Sequence, residues 1–376
     1  MSIHSPLTRQ PIDEFRVFQY RRALTKTIQA IAQKKLTIGY LGGSITEDGD
    51  CNWPGPVSRW FAQTFPTLAV VSENAGMGAT GSDFACMRAE REIIDRGCQL
   101  TFVEYAVNDF DQTTERRSRT REGLLRKLLA AGQEVVIVYT YYQAMYTDMI
   151  EGRVPATIAE FEKLAEHYKL SSVWAGLYAL NEVRSGAMKW GEWLPDALHP
   201  AHRGSWSYAE AIIQFLSKEL LNSPGPIKRK AATPALPEPL SPLHWQGMTL
   251  LPLTKVSTTG PWVLRRIHNR LHIGQVLETH TVGAKLSFTF TGRGLALSFE
   301  YGKRSSEFRY RIDGEEWVPV VRERYDWSGD CGMVHPFVTQ DDLPEGPHIF
   351  EMEVIHGNRP ECTGTECRLG LIGVVR

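Results

Sequence analysis

Five short apolar runs in the first half of the chain constrain its fold more than any other feature. They cover residues 36–41, 68–71, 100–105, 135–139 and, more weakly, 172–175. Short runs that are apolar at nearly every position are typical of strands buried on both faces of a parallel sheet. Stretches with helical spacing of apolar side chains separate them. The sequence therefore predicts a five-stranded parallel sheet covered by helices, an α/β fold.

The predicted helices cover residues 57–64, 82–96, 120–131, 158–168 and 205–221. A further amphipathic helix is predicted over residues 13–35, because Phe15, Phe18, Leu24, Ile28 and Ile31 recur at helical spacing. We expect that helix to pack on the first domain.

The second half of the chain has a different pattern. Residues 222–242 hold six prolines, a density that excludes a packed helix or a central strand and favours a semi-rigid linker. Beyond it, runs of alternating polarity such as 285–290, 295–299, 308–312 and 348–354 are separated by glycines. The sequence thus predicts a first domain over 1–222, a linker over 223–242, and an all-β sandwich over 243–376.

Charge and composition exclude several classes of protein. The net charge is −1, from 42 basic and 43 acidic residues, so nucleic acid and anionic membranes are not expected partners. The chain has neither the apolar segment of a signal peptide nor a spanning segment, so we expect a cytoplasmic protein. Its cysteines should then be free thiols, and their spacing does not favour a metal site: Cys51, Cys86, Cys98, Cys331, Cys362 and Cys367.

Side chains suited to acyl chemistry follow the predicted strands. Ser44 comes directly after two glycines at the end of the first strand, Gly78 follows the second strand, and Asn108 follows the third. The carboxyl ends of parallel strands share one edge of a sheet, where ligands bind. There, Ser44 can act as a nucleophile, while its backbone N–H, the N–H of Gly78 and the amide of Asn108 can donate to an oxyanion.

A base for the serine is predicted in the loop 195–200. Asp196 and His199 are three positions apart, so the carboxylate can orient one ring nitrogen while the other accepts the serine proton. His202 is a competing candidate, which the spacing alone does not exclude.

Together these segments resemble the SGNH hydrolase (GDSL-like esterase) superfamily. The similarity covers roughly residues 36–221 and rests on Gly42-Gly43-Ser44-Ile45-Thr46, residues 74–80, Val107-Asn108-Asp109, and Asp196 with His199. It implies a flavodoxin-like three-layer α/β/α sandwich and an oxyanion hole of Ser44, Gly78 and Asn108. The resemblance also implies that no metal or other cofactor takes part. Gly43 departs from the family pattern, in which Asp occupies that position.

The second domain resembles the jelly-roll module of acetyl-xylan-type carbohydrate esterases. We therefore expect a serine esterase that removes a small acyl group, most simply acetyl, from a sugar or glycan. Trp53, Trp190 and Trp193 lie near the site segments and are candidates for stacking on sugar rings. The expected partner is a small-molecule or oligosaccharide ester.

Four alternatives stay open at this point. The same residues suit an O-acyltransferase, a lipase, a thioesterase, or a glycan-binding protein whose hydrolase domain is inactive. The β domain either binds carbohydrate or serves only a structural role, and homo-oligomer formation is left open.

Overall fold

The apolar runs of the first half form one sheet in the computed structural model, which describes residues 17–47, 52–221, 235–267, 272–328 and 332–376. The chain divides after His244 into two compact units. In the first unit the strands are β1 (Phe18–Gln19), β2 (Lys35–Gly42), β3 (Ala69–Asn74), β4 (Leu100–Glu104), β5 (Glu134–Val138) and β6 (Ser171–Val173). All residues of β4, β5 and β6 are buried, as the apolar runs of β4 and β5 predict. The edge strand β3 is at most partly buried, so its apolar run wrongly indicated burial on both faces.

The helices of the first unit lie between these strands in the chain. They are α1 (Thr25–Ala32), α2 (Ser44–Glu47), α3 (Pro54–Thr64), α4 (Ser82–Ala89), α5 (Thr114–Ala130), α6 (Tyr146–Ile150), α7 (Ala156–His167), α8 (Ala175–Arg184), α9 (Trp190–Trp193) and α10 (His202–Leu221). A π-helical turn, Glu90–Ile94, extends α4.

The strand order across the sheet is β1-β6-β5-β4-β2-β3. Strands β2 to β6 run parallel, and their order is the 2-1-3-4-5 order of flavodoxin-like folds. Right-handed crossovers in this order place helices on both faces of the sheet. The predicted α/β/α sandwich is therefore confirmed.

The prediction of one helix over 13–35 is wrong. Residues 13–16 lie outside the described residues, Phe18 pairs with Val173 in an antiparallel edge strand, and the helix covers only Thr25–Ala32. Tertiary contacts override the helical spacing here. The Arg21 backbone N–H donates to Ser171 Oγ at 3.1 Å, and the Arg21 guanidinium donates to the Leu170 carbonyl at 3.0 Å.

Only part of the predicted linker lies within the described residues, which resume at 235. There the chain forms no helix or strand up to Pro242. The backbone N–H groups of Leu240 and Ser241 donate to the buried carboxylate of Glu122, at 2.7 and 2.6 Å. This end of the proline-rich segment is therefore fixed to the first unit.

The second unit consists of two antiparallel sheets. One holds β7 (Thr249–Leu250), β9 (Val263–Arg266), β10 (Gln275–Thr279), β12 (Gly294–Tyr301), β15 (Met333–Val338) and β17 (Cys367–Val375). The other holds β8 (Ser257–Thr259), β11 (Lys285–Gly292), β13 (Glu307–Ile312), β14 (Val318–Val320) and β16 (Gly346–Ile355).

Side chains from both sheets form one core in this unit. Phe288 and Phe350 stack across β11 and β16, and they belong to the same buried cluster as Leu297 and Phe299 of β12. Burial alternates along β11, as the alternating sequence predicts for a sheet with one face in the core. The predicted β sandwich is confirmed.

The structure also bears on the cysteines and on membrane-spanning segments. Cys86, Cys98, Cys362 and Cys367 are free thiols, whereas Cys51 and Cys331 lie outside the described residues. Within the described ranges, none of the helices combines the length and the apolar character needed to cross a membrane.

Candidate active site

Ser44 opens the short helix α2, two residues beyond the end of β2. The strand must turn sharply here, and two glycines make the turn possible. A β-carbon at Gly42 would overlap the side chain of Thr46, and one at Gly43 would overlap the carboxamide of Asn108. The glycines therefore let the chain pass close to both neighbours, which places the serine at the carboxyl edge of the sheet.

The structure brings His199 to this serine. Ser44 Oγ lies 2.9 Å from His199 Nε2, a hydrogen-bonding distance. On the other side of the ring, His199 Nδ1 lies 2.8 Å from Asp196 Oδ2. The three side chains are thus arranged as a nucleophile, a base and an orienting carboxylate would be for acyl transfer.

Backbone geometry fixes the loop that carries the histidine. Ala197 has a φ of 68°, in the left-handed region, and this lets the chain fold back on itself. Asp196 Oδ1 then accepts from the backbone N–H groups of Leu198 at 3.0 Å and His199 at 2.6 Å. One carboxylate therefore organises both the loop and the imidazole.

The electrostatics of Asp196 suit an orienting carboxylate. Burial acts to raise the pKa of this group, but hydrogen bonds from the ring and backbone of His199 outweigh it and hold the pKa below its ordinary value. Asp196 is therefore ionised around neutral pH. The side chains of His199 and Asp196 are 46% and 54% exposed, so the site is open to solvent.

Both predicted oxyanion donors flank the serine. A β-carbon at Gly78 would lie 3.5 Å from Ser44 Cβ, so the backbone of this glycine passes directly beside the serine. Asn108 packs on Gly43, and its Oδ1 is buried without a hydrogen-bond partner among the described residues. Ser44, Gly78 and Asn108 thus lie close together in the structure, as the sequence predicts.

Two asparagines that the sequence did not single out also hold the turn at Ser44. Asn52 Nδ2 donates to the Ser44 carbonyl at 3.0 Å. Asn74 Nδ2 donates to the Thr46 carbonyl at 2.7 Å, and its Oδ1 accepts from the backbone N–H of Gly76. The sequence could have indicated Asn74 as a site residue because it ends β3, and the carboxyl ends of parallel strands meet at one edge of the sheet.

A buried ion pair supports the segment that contains Asn108. Asp109 is fully buried, accepts from Arg121 Nε at 2.7 Å, and also accepts from the backbone N–H of Ser82 at 2.8 Å. The guanidinium of Arg121 reaches the Tyr105 carbonyl at 3.1 Å. These contacts anchor the chain on both sides of Asn108.

The structure corrects the prediction that Trp53 and Trp193 stack on sugar rings. Both side chains are 0% exposed. Trp53 packs edge-on against Phe102, and the carbonyl of Trp193 accepts from the backbone N–H of Ala201 at 2.8 Å. These tryptophans support the core and the loop of His199, and they leave no face for a ligand.

Trp190 is only partly buried, and its ring lies edge-on to those of Tyr141 and Tyr146. A substrate contact at Trp190 stays a prediction.

Within the described residues, no group of three or more His, Cys, Asp or Glu side chains is placed to hold a metal ion.

Comparison with known proteins gives structural matches only. No protein-family model and no curated protein matches the chain. In contrast, a two-domain esterase (CEX) active on acetylated mannans, crystallised with mannopentaose, aligns with 95% of this chain and 96% of its own, with a TM-score of 0.77 and 22% identity. The chain has the fold of a two-domain esterase.

A second crystal structure of that esterase gives the same TM-score at 21% identity and covers the same shares of both chains. Axe2, an acetylxylan esterase from Geobacillus stearothermophilus, covers 48% of this chain and 94% of its own, with a TM-score of 0.40 and 15% identity. Because the two-domain esterase aligns with 95% of this chain, its likeness extends through both units.

Proposed function

We propose that this chain is an SGNH-type serine esterase that removes acetyl groups from hydroxyls of a glycan or oligosaccharide. The observation that carries the proposal is the contact of Ser44 Oγ with His199 Nε2 at 2.9 Å, backed by Asp196. A serine, a histidine and a carboxylate in this order are what nucleophilic acyl transfer needs.

In the proposed reaction, Ser44 Oγ attacks the acetyl carbonyl carbon while His199 Nε2 takes the serine proton. The carbonyl oxygen becomes an oxyanion that accepts from the N–H groups of Ser44 and Gly78 and from the amide of Asn108. The carbon–oxygen bond to the sugar then breaks, and the sugar oxygen takes the proton from His199. An acetyl group remains on Ser44.

Water completes the cycle. It attacks the acetyl carbonyl, gives its proton to His199, and releases acetate, after which the proton returns to Ser44 Oγ. About half of each of the His199 and Asp196 side chains is exposed, so water reaches an acyl-enzyme formed here without any prior opening step.

The open site also bears on substrate class. A bulky glycan needs an unobstructed approach to the nucleophile, whereas a long acyl chain needs an apolar cover. The exposure of His199 and Asp196 favours the glycan. The fold shared with an esterase active on acetylated mannans supports an acetylated mannan or its oligosaccharides as the first substrate to examine.

The test is a substrate panel with purified full-length protein and with Ser44→Ala. Acetate release is measured from acetylated manno-oligosaccharides and acetylated xylo-oligosaccharides, and p-nitrophenol release from the acetate, butyrate and octanoate esters. We expect release of acetate from an acetylated oligosaccharide, a preference for the shortest acyl chain, and loss of both in Ser44→Ala. A preference for octanoate, or equal rates in the variant, would overturn the proposal.

A further inference from the structure

A buried carboxylate lies directly behind the turn at Ser44 and takes no part in the proposed proton transfers. Glu104 is the last residue of β4, and in the sheet register it is the neighbour of Gly42. Its side chain is 0% exposed. Among the described residues no lysine, arginine or histidine forms an ion pair with it.

Glu104 joins two separate segments of the site. Thr46, in the helix that begins at Ser44, donates its hydroxyl to Glu104 Oε2 at 3.2 Å. Thr140, two residues beyond the end of β5, donates its hydroxyl to Glu104 Oε1 at 2.7 Å. Both threonines are fully buried, so water does not compete for these hydrogen bonds.

The turn at Ser44 is shaped around this contact. Because a β-carbon at Gly42 would overlap Thr46 Oγ1, only glycine lets the threonine hydroxyl approach the carboxylate at that point. The Thr46 backbone N–H donates back to the Gly43 carbonyl at 3.0 Å. Movement of Thr46 would therefore be passed to Gly43 and Ser44 within the same turn.

Burying an ionised carboxylate at this position makes the folded protein less stable. Burial raises the pKa of Glu104 to about 7, although hydrogen bonds from Thr140, Thr46 and the Gly43 backbone act in the opposite direction. A well-packed apolar side chain would avoid this penalty, since buried charges seldom add stability. Strongly perturbed groups of this kind cluster at functional sites.

We propose that Glu104 is a positioning residue, which bridges Thr140 to Thr46 and thereby holds Ser44 Oγ and the Ser44 backbone N–H in their reactive orientation. The inference rests on the proposed esterase function. Glu104 does not touch the substrate. It acts through Thr46 and the turn that Thr46 closes, so its effect falls on the rate of the chemical step and leaves substrate binding unchanged.

The test compares Glu104→Ala and Glu104→Gln with wild type, using p-nitrophenyl acetate. A small displacement of a catalytic group costs up to about 100-fold in rate, so we expect Glu104→Ala to lower kcat by roughly 10- to 100-fold. KM should stay within about twofold, because the binding surface is untouched. The glutamine keeps a polar bridge to both threonines and should restore most of kcat.

Glu134→Ala is the matched control. Glu134 is also buried and also accepts from a threonine, Thr27, through both the hydroxyl at 2.7 Å and the backbone N–H at 2.8 Å. It begins β5, at the opposite end of the sheet from Ser44. We expect this variant to lose stability while its kcat at 25 °C stays close to that of wild type.

A double-mutant cycle covers the case in which Glu104→Ala does not fold. Thr46→Val and Thr140→Val each remove one hydroxyl and keep the shape of the side chain. If Glu104 bridges them, the two losses in kcat should be non-additive, with the double variant little worse than the worse single one. Additive losses, or kcat equal to wild type in all three, would overturn the inference.

The outcomes separate this inference from the proposed function. A wild-type protein that releases no acetate and whose Ser44 does not react with a fluorophosphonate contradicts the esterase function itself. An active wild type together with unchanged kcat in Glu104→Ala contradicts the role of Glu104 alone. A matched fall in kcat for Glu104→Ala and Glu134→Ala would likewise show that the effect is one of general stability.

Discussion

Ser44 Oγ and His199 Nε2 lie 2.9 Å apart, although 155 positions separate the two residues in the chain. The start of α2, two residues beyond β2, carries the serine, and the loop between α9 and α10 carries the histidine. The contact therefore depends on two separate turns: the glycine turn before Ser44, and the turn at Ala197 that Asp196 stabilises. Each turn can be tested separately by substitution.

Asp196→Asn should slow catalysis without unfolding the loop. The asparagine side chain keeps an oxygen that can accept from the backbone N–H groups of Leu198 and His199, but its carboxamide does not stabilise a protonated imidazole. In buried triads this change costs about 10⁴ in kcat, and because Asp196 is 54% exposed we expect a smaller loss, on the order of 10². Steady-state kinetics on p-nitrophenyl acetate provide the measurement, and an unchanged kcat would contradict the orienting role.

Gly43→Ala and Gly78→Ala should differ in their effects. A β-carbon at Gly43 overlaps the Asn108 carboxamide, so the alanine must displace a predicted oxyanion donor. At Gly78 the new carbon would lie 2.9 Å from the carboxylate end of Glu47, which is exposed and can move away. Loss of one such donor costs about 10²- to 10³-fold in kcat, and we expect that loss for Gly43→Ala and a clearly smaller one for Gly78→Ala. The reverse order would contradict the placement of Asn108.

Glu104 should make the folded protein less stable as pH rises. Its pKa is about 7 in the folded protein against an ordinary value of 4.5, so the native state binds this proton more tightly than the unfolded chain does. Stability from this group is therefore present below pH 4.5 and is lost as pH rises to about 7. The difference is on the order of 3 kcal/mol by the usual 1.36 kcal/mol per pKa unit.

Urea unfolding of wild type and Glu104→Gln at pH 5 and pH 8 measures this effect. Glutamine does not titrate, so the variant should gain stability relative to wild type as pH rises. Subtracting the two curves removes the contribution of all other titrating groups, including Asp83, whose pKa burial also raises. A difference that is constant with pH would show that the raised pKa of Glu104 is wrong.

An exposed aromatic pair gives the β domain a testable role in binding glycan. Tyr325 and Trp327 stack with ring centroids 5.5 Å apart, and Trp327 is 66% exposed. Exposed aromatic faces are suited to sugar rings. If the pair binds glycan, Trp327→Ala should raise KM for an acetylated oligosaccharide by about 3- to 10-fold, or roughly 1 kcal/mol. KM for p-nitrophenyl acetate should not change, and equal effects on both substrates would favour a structural role.

The sequence predicted the parallel sheet because strands that are buried on both faces are apolar at nearly every position. It also placed Ser44, Gly78 and Asn108 at strand ends, and strand ends of a parallel sheet meet at one edge. The region around residues 13–35 was misinterpreted because the sequence does not reveal that Arg21 contacts Leu170 and Ser171, which lie some 150 positions away. The helix Ala175–Arg184 was not predicted, and its first residue was assigned to the preceding strand.

Aromatic and acidic residues near the site were harder to interpret. Trp53 and Trp193 are close to the site in sequence, but whether a large ring faces a ligand or the core depends on packing that spacing does not reveal. Glu104 stood within an apolar run, and a charge inside a buried strand was the available signal. Its partner Thr140 follows a different strand, so only the folded structure joins the two.

Reaction of Ser44 with a fluorophosphonate is the most direct test of the central claim, that His199 activates this serine. The measurement is the intact mass of the full-length protein after treatment, followed by peptide mapping, for wild type, Ser44→Ala and His199→Ala. We predict one adduct per wild-type chain, located on Ser44, no adduct in Ser44→Ala, and much slower labelling in His199→Ala. An unlabelled wild type, or labelling that is equally fast without His199, would contradict the account.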